Sequence, residues 1–464
     1  MISAPILLVV YAAWAAIFAS PDESLLLNPI VVSAAILSVM IEHFWRRDRQ
    51  LPILDVGVLC ALITFVYIAM PTLLYIKSGY RWSALSDPRL VQMNTTPEDI
   101  AALLWFVTAY LAAFCAAYLL LRRAGMPGPD VRVEVAAGDG WALIILLALG
   151  TIYQTEVENS FHINLNPSNQ ELVANNGVAP LPVFLAQITH NILGILRITM
   201  LGIVAFVFAK KNWVLTLLLA IWLFIEGYLT VSNMGPRAYY AFLIMAVALC
   251  YHRMIRPITA VPAASIASVL LAGLLGYGYW RDHSYNSVAD ILSAATEFQV
   301  LLANGLHVSW ARAHGMLGDV PWHIRFNDLI LMIPQQLLPF QKLDMEQWYI
   351  RETGLDNHGL GLMFGVVAQS KLGLGLPEIV ARGAILGAVL AFIHRQCVKH
   401  ATNFTVLVLY LWLCTSIYYT YRASTFYIVT WTVYRVFPFV VLFWLLSRLF
   451  RRRAGAKISV APGT

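Results

Sequence analysis

An all-α polytopic membrane protein is the fold class this sequence predicts, and three observations predict it. Hydrophobic residues make up 59% of the 464-residue chain, charged residues only 12%, and the mean hydropathy is +0.70; a soluble domain carries roughly 25% charged residues. The apolar residues fall into runs of about 20, the length a helix needs to cross ~30 Å of hydrocarbon. Basic residues gather after every second run, as they do in short cytoplasmic loops.

Taken in order, the runs predict about twelve transmembrane helices, at 2–19, 26–45, 52–76, 99–121, 140–153, 182–209, 212–232, 238–252, 259–279, 376–395, 402–420 and 426–449. Arg46, Arg47 and Arg49 follow the second run, Arg122 and Arg123 the fourth, and Lys210 and Lys211 the sixth. Arg253 and Arg256 follow the eighth, Arg395 and Lys399 the tenth, and Arg448, Arg451, Arg452 and Arg453 the twelfth. Every even-numbered span therefore ends in the cytoplasm, and both termini lie there. The formal net charge of +6 is read as topology and not as nucleic-acid binding. Segment 2–18 lacks the basic n-region of a secretory signal, so it is read as an uncleaved first span, although Ala15 and Ala16 would suit a cleavage site. The cysteines Cys60, Cys115, Cys250, Cys397 and Cys414 avoid the long loop, which predicts neither a disulfide framework nor a cysteine metal site.

The extracytoplasmic side receives 77–99, 155–180, the turns at 233–237 and 421–425, and one long loop, 280–357, inserted in a single membrane domain, 1–464. Loops beyond roughly 15 residues are usually functional or disordered, and this one is too apolar for disorder. Val288, Ile291, Leu292, Ala295, Phe298, Leu302 and Leu306 recur at helical spacing. They predict an amphipathic helix over 287–306 lying beside the outer membrane surface, with Phe298, Leu302 and Leu306 buried and Glu297 more exposed. A second helix is expected over 327–336, ended or kinked by Pro334. The glycine-rich stretch 359–375 is read as a segment that dips into the membrane and returns, covered by protein.

Ionisable residues inside spans are costly and mark function by default. Arg197, Glu226 and Arg435 sit deep in spans six, seven and twelve. They would form either a polar pocket for an anionic lipid headgroup or an Arg–Glu pair locking helices together. Arg237, in Ser232-Asn233-Met234-Gly235-Pro236-Arg237, and Arg422, in Tyr418-Tyr419-Thr420-Tyr421-Arg422-Ala423-Ser424, are placed at outer mouths between spans. Positive-inside topology does not explain them there; guanidinium forks match phosphate oxygens, whereas interfacial snorkelling is the competing reading. The long loop adds Arg281, Arg312, Arg325 and Arg351, and offers Asp282, Glu297, Asp344, Glu346, Glu352 and Asp356 as bases. His283, His307, His314, His323 and His358 are scattered without the spacing of a metal site. No phosphate-binding loop, dinucleotide fingerprint or nucleophile elbow is present.

Three stretches carry a resemblance to a known family: Gly235-Pro236-Arg237 followed by Phe242-Leu243-Ile244; Leu331 to Lys342, with Ile333-Pro334 and Pro339-Phe340-Gln341-Lys342; and Gly361 to Gly375 with Gly383 and Gly387. Together, over roughly 233–395, they resemble the Wzy-type O-antigen and exopolysaccharide repeat-unit polymerases, with Gln335 and Leu343 where that family commonly has Arg and Pro. The resemblance implies a membrane-embedded glycosyltransferase in the bacterial inner membrane, with its active site periplasmic. Its substrate would be an undecaprenyl-diphosphate-linked oligosaccharide, and it would need no cofactor. Arg237, Arg422, Arg281 and Arg351 would clamp the diphosphate, with Arg197 and Arg435 deeper and Glu226 and Lys342 in support. Asp282, Glu346 or His314 would take the acceptor proton. A chain-length regulator and a flippase are the partners it implies beyond the bilayer. An O-antigen ligase is the nearest rival. A lipid-linked sugar flippase or twelve-span transporter is the rival of another class; it would need a polar path to the cytoplasmic side, whereas the deep charges picked out above cluster in the outer half.

Overall fold

The computed structural model describes residues 3–48, 55–82, 88–123, 134–161, 296–330, 343–355, 364–425, 427–451 and 457–459, with isolated positions elsewhere. The described residues are helical, apart from a two-stranded antiparallel ribbon that pairs β1 (Glu134–Ala136) with β2 (Lys457–Ser459). Helices α1 (Ser3–Phe18) and α2 (Pro21–Asp48) form a hairpin. α3 (Val56–Lys77) returns, α4 (Pro88–Gln92) makes a short crossing, and α5 (Pro97–Leu121) runs beside α2. Among the described residues, five helices are long and apolar enough to cross a membrane: α2, α3, α5, α12 (Leu376–Lys399) and the stretch Tyr427–Leu449. Spans expected between 182 and 279 fall largely outside the described residues.

Local chemistry sets the helix ends. Asp55 caps α3 by accepting from the amides of Gly57 and Val58. Thr96 and Asp99 form a reciprocal capping box with Pro97 in the first turn, so α5 starts where the sequence supplies both partners. Two expectations shift. α6 (Ala137–Phe161) continues past the expected end at 153 because its last turns, though polar, still bond along the helix, Gln154 to Glu158 at 3.0 Å. α13 (Phe404–Ser416) stops short of 420, and the chain turns within the bundle.

The bundle has two distinguishable ends. Arg122, just past α5, pairs with Asp48 at the end of α2 and with Asp55 at the start of α3, while Arg253 donates to the Ala401 carbonyl just past α12. Arg46, Arg47, Arg122, Arg395 and Lys399 thus share one end, here the basic end. The inserted loop packs at the other.

α5 and α12 lie parallel and in backbone contact. A Cβ on Gly383 would come within 2.5 Å of the Tyr110 carbonyl oxygen, and one on Gly387 within 2.5 Å of the Phe114 oxygen. Small residues spaced by four allow this approach in membrane helices. A hydroxyl contact, Ser33 to Thr108 at 2.9 Å, joins α2 to α5.

The loop departs from expectation. α7 (Thr296–Ala313) is described from 296 and runs past 306; residues 287–295 and the side chains of Glu297 and Phe298 lie outside the described residues. Leu302 and Leu306 are buried as anticipated, but so are Leu301, Ala303, Asn304, His307 and Val308. The helix is therefore enclosed instead of lying on a surface with one face open. Gly305 explains the fit, because it lets α7 close on Leu103 of α5 and on Val367 of α11 (Gly365–Leu372). The expected helix over 327–336 is only the single turn α9 (Asn327–Ile330). Ile333 forms a bend, in keeping with the bias against helix just before a proline; 334–336 lie outside the described residues. Together with α8 (Trp322–Arg325) and α10 (Met345–Thr353), these pieces bury a small core of their own around Val308, Ile324, Trp348, Tyr349 and Phe364.

Candidate functional site

The loop, α11, α12 and the turn after α14 (Tyr419–Arg422) converge on one buried polar centre. Arg382 of α12 donates to Asp328 of α9 at 2.7 Å, to Glu378 at 2.8 Å and to Gln369 of α11 at 3.3 Å. Asp328 accepts from the Ser424 hydroxyl with its other oxygen, and Gln369 donates to the Ala423 carbonyl at 2.9 Å. Asp328, Gln369, Arg382 and Ser424 are all buried. A buried guanidinium needs such saturation, because an unpaired ion costs several kcal/mol.

Beside it, Glu346 and Arg422 meet the same two residues. The Glu346 carboxylate accepts from the Phe364 amide at 3.5 Å, and the Arg422 and Tyr421 carbonyls border Gly365, each 3.3 Å from where a Cβ would lie. Gly365 takes φ +65, so glycine is required there both for its backbone and for its space. Phe364 also packs on Tyr349, whose hydroxyl meets His307 Nδ1; nearby, Arg89 donates to Asn304 at 2.5 Å. Burial pushes the Tyr349 hydroxyl up, with Arg89 opposing. Burial also raises Asp344, the N-cap of α10, against bonds from the Gln347 and Glu346 amides. Lys371 is lowered, by burial first and then by Arg312.

An aromatic wall adjoins these groups. Tyr418 and Tyr419 lie 4.0 Å apart, Tyr427 and Trp431 5.2 Å, and the Arg422 guanidinium stands 5.8 Å from the Tyr418 ring. These rings pack on one another beside the polar groups, with Trp431 fully buried.

Of the residues selected from sequence, the Glu346 carboxylate and the Arg422 backbone border the adjacent residues Phe364 and Gly365. Arg422 does not sit at an outer mouth: the preceding Tyr421 packs between Tyr67 and Tyr110, near mid-length of α3 and α5. The turn lies inside because α13 ends early. His314 is exposed at the end of α7, against Trp310 and its carbonyl. Arg351 is exposed in the last turn of α10, at the opposite end of that helix from Glu346. Arg435 lies on a π-helical turn (Thr432–Val436). Arg197, Glu226, Arg237, Arg281, Asp282 and Lys342 fall outside the described residues.

Sequence reasoning missed Asp328, Gln369, Arg382 and Ser424. Arg382 carried a readable signal, a charge inside span ten; nothing in the sequence singled out Asp328. It also missed a second centre at the basic end. There Asp55 accepts from Tyr118 at 2.7 Å and pairs with Arg122 at 2.6 Å, with His394 at 3.9 Å; His394 Nδ1 meets Tyr410 at 2.5 Å. Buried charges therefore occur towards both ends of the bundle. No group of three or more His, Cys, Asp or Glu suited to a metal gathers among the described residues. Comparison with protein-family models, with curated proteins and with solved structures found no match to this chain.

Proposed function

We propose that this chain is a membrane-embedded glycosyltransferase that polymerises lipid-diphosphate-linked oligosaccharide repeat units. The observation that supports the reading is that the Glu346 carboxylate accepts from the Phe364 amide while the Arg422 backbone borders the adjoining Gly365 and its guanidinium stands 5.8 Å from the Tyr418 ring. The two residues were selected from sequence for complementary roles, a base and an anion clamp. In the reaction, the acceptor hydroxyl oxygen bonds to the anomeric carbon of the growing chain as the bond from that carbon to the diphosphate oxygen breaks. The proton passes to a carboxylate, Glu346 or Asp282, and the lipid diphosphate leaves with the bonding electrons. Guanidinium groups aimed at the departing charge act on the transition state, the role given to Arg422 and Arg237, with Arg281 and Arg351. The donor is already activated, so the chemistry calls for neither a nucleotide nor a metal. The site then faces the periplasm and the basic end faces the cytoplasm of a bacterial inner membrane.

The test is a purified full chain supplied with an undecaprenyl-diphosphate-linked repeat unit. A glycan ladder is expected, falling roughly ten- to hundredfold in rate with Arg237→Ala or Arg422→Ala and partly restored by lysine. Absence of any ladder from well-folded protein, with a supplied lipid A core acceptor modified instead, would make the chain a ligase. A second reading has one observation in its favour. The buried centre around Asp55, Arg122 and His394 gives polar groups at both ends of the bundle, as a transporter requires. Flux of a lipid-linked sugar across proteoliposomes, without polymer formation, would favour it.

A further inference from the structure

We propose that Arg435 holds the phosphate of a membrane lipid whose chains lie along the last membrane-length helix, a site independent of the glycosyl-transfer reading. Arg435 sits well inside the stretch Tyr427–Leu449, on the π-helical turn Thr432–Val436. Such turns insert an extra residue and recur where a helix serves a ligand. The surrounding helix is lipid-like in its exposure: Val433 is 40% exposed, Phe437 66% and Trp444 49%.

Among the described residues, two buried arginines receive carboxylates, and a third, Arg253, donates to the Ala401 carbonyl. Arg382 has Asp328 and Glu378. Arg122 has Asp48 and Asp55. Arg435 is half-buried, and among the described residues its guanidinium stands 5.6 Å from the Trp431 ring. No carboxylate pairs with it among those residues. The Trp431 indole nitrogen, one turn before it, also lacks an acceptor there. The turn therefore presents the positive charge of Arg435 on a helix bordered by exposed apolar side chains, while the Trp431 indole nitrogen is buried behind it. A guanidinium in that setting needs an anion. A lipid phosphate supplies the oxygens that match its fork, while the acyl chains cover Val433 and Phe437. A polar anion would leave those side chains uncovered, so the geometry selects a lipid over free phosphate.

Native mass spectrometry of the full chain in neutral detergent tests this, with phosphatidylglycerol, diacylglycerol and inorganic phosphate as the added probes. The wild type should retain one phosphatidylglycerol that Arg435→Gln binds about ten- to hundredfold more weakly, with Arg435→Lys between them. Diacylglycerol should not distinguish the proteins, and inorganic phosphate should not displace the retained lipid. Equal retention by wild type and Arg435→Gln would overturn the proposal, as would displacement by inorganic phosphate. Glu226 lies outside the described residues, so Glu226→Gln is the second variant. If it lowers the melting temperature as much as Arg435→Gln and the double variant is no worse, Arg435 is the partner of Glu226 and the lipid site falls. Loss or retention of a glycan ladder bears on neither result.

Discussion

Arg382 is the residue whose replacement should cost most. It neutralises Asp328 and Glu378 in a region with little access to water. Arg382→Ala leaves the buried Asp328 carboxylate uncompensated, and the half-buried Glu378 without its guanidinium partner, and should destabilise the protein by about 3–5 kcal/mol. Arg382→Met combined with Asp328→Leu should cost clearly less than the sum of the two single changes, because removing both partners removes the desolvation penalty as well. Thermal unfolding in detergent checks this; strict additivity would mean that the pair is not coupled. Asp344 gives a pH-dependent counterpart. Burial raises its carboxyl above the ordinary value of 3.8. The folded state therefore holds the proton more tightly than the unfolded chain does, and stability is lost as pH rises through the raised value. Asp344→Asn keeps an acceptor for the Gln347 amide without the charge. Its stability relative to wild type should improve as pH rises above about 4, the ordinary carboxyl value. Asp344→Ala should instead lose ~1 kcal/mol of capping at any pH. Melting temperatures of the three proteins across that range decide the matter; a parallel pH dependence for wild type and Asp344→Asn would refute it.

At the scale of elements, the α5–α12 contact is the most exacting. Helices that touch through Gly383 and Gly387 have no room for a side chain, since the obstruction at both positions is backbone. Gly387→Val should force the helices apart and loosen the Arg382 centre that α12 carries. The expected outcome is a drop of several degrees in melting temperature and greater protease sensitivity in 322–355, while Gly315→Ala serves as a control: its φ of +67 strains alanine, yet nothing lies nearby. Overpacking of this kind typically costs about 1–3 kcal/mol. A normal melting temperature for Gly387→Val would mean that the two helices pack less closely than described. α7 illustrates the opposite case. Its apolar spacing signalled a helix with one buried face, but Gly305, Ala303 and Asn304 let neighbours close around it on all sides over 301–308, while Ser309, Arg312 and Ala313 are exposed.

For the whole molecule, the alternation of basic loops and the packing agree on one point: the arginines and lysines past α2, α5 and α12 share an end. Which side of the membrane that end faces is tested with single cysteines. Asp139→Cys and Arg452→Cys should be labelled from the cytoplasm, and Asp282→Cys and Glu346→Cys only from outside, in a background with the native thiols removed. Labelling of Asp282→Cys from the cytoplasm would reverse the topology and move the proposed site to the wrong compartment for a lipid-linked donor.

The sequence by itself determined the membrane class, the positions of most described helices and the gathering of basic charge at alternate helix ends. These follow from hydrocarbon thickness, helical rise and the cost of moving charge, all of which act along the chain. Glu346 and Arg422 were legible as polar residues without a topological reason, but the placing of the Glu346 carboxylate on Phe364 and of the Arg422 backbone on Gly365 was not. Only the tertiary structure decided that α7 is enclosed, that the 417–425 turn lies inside the bundle, and that Arg382 finds Asp328 from a separate element. The reason is physical: a buried charge is satisfied by whichever partner the packing delivers, and its sequence neighbours need not show it. Asp55, Arg122 and His394 make the same point at the basic end, being 63 residues apart where Tyr118 donates to Asp55 and farther still where His394 approaches. Distances of that kind are set by which helix faces touch, and glycines such as Gly305, Gly383 and Gly387 set which faces can.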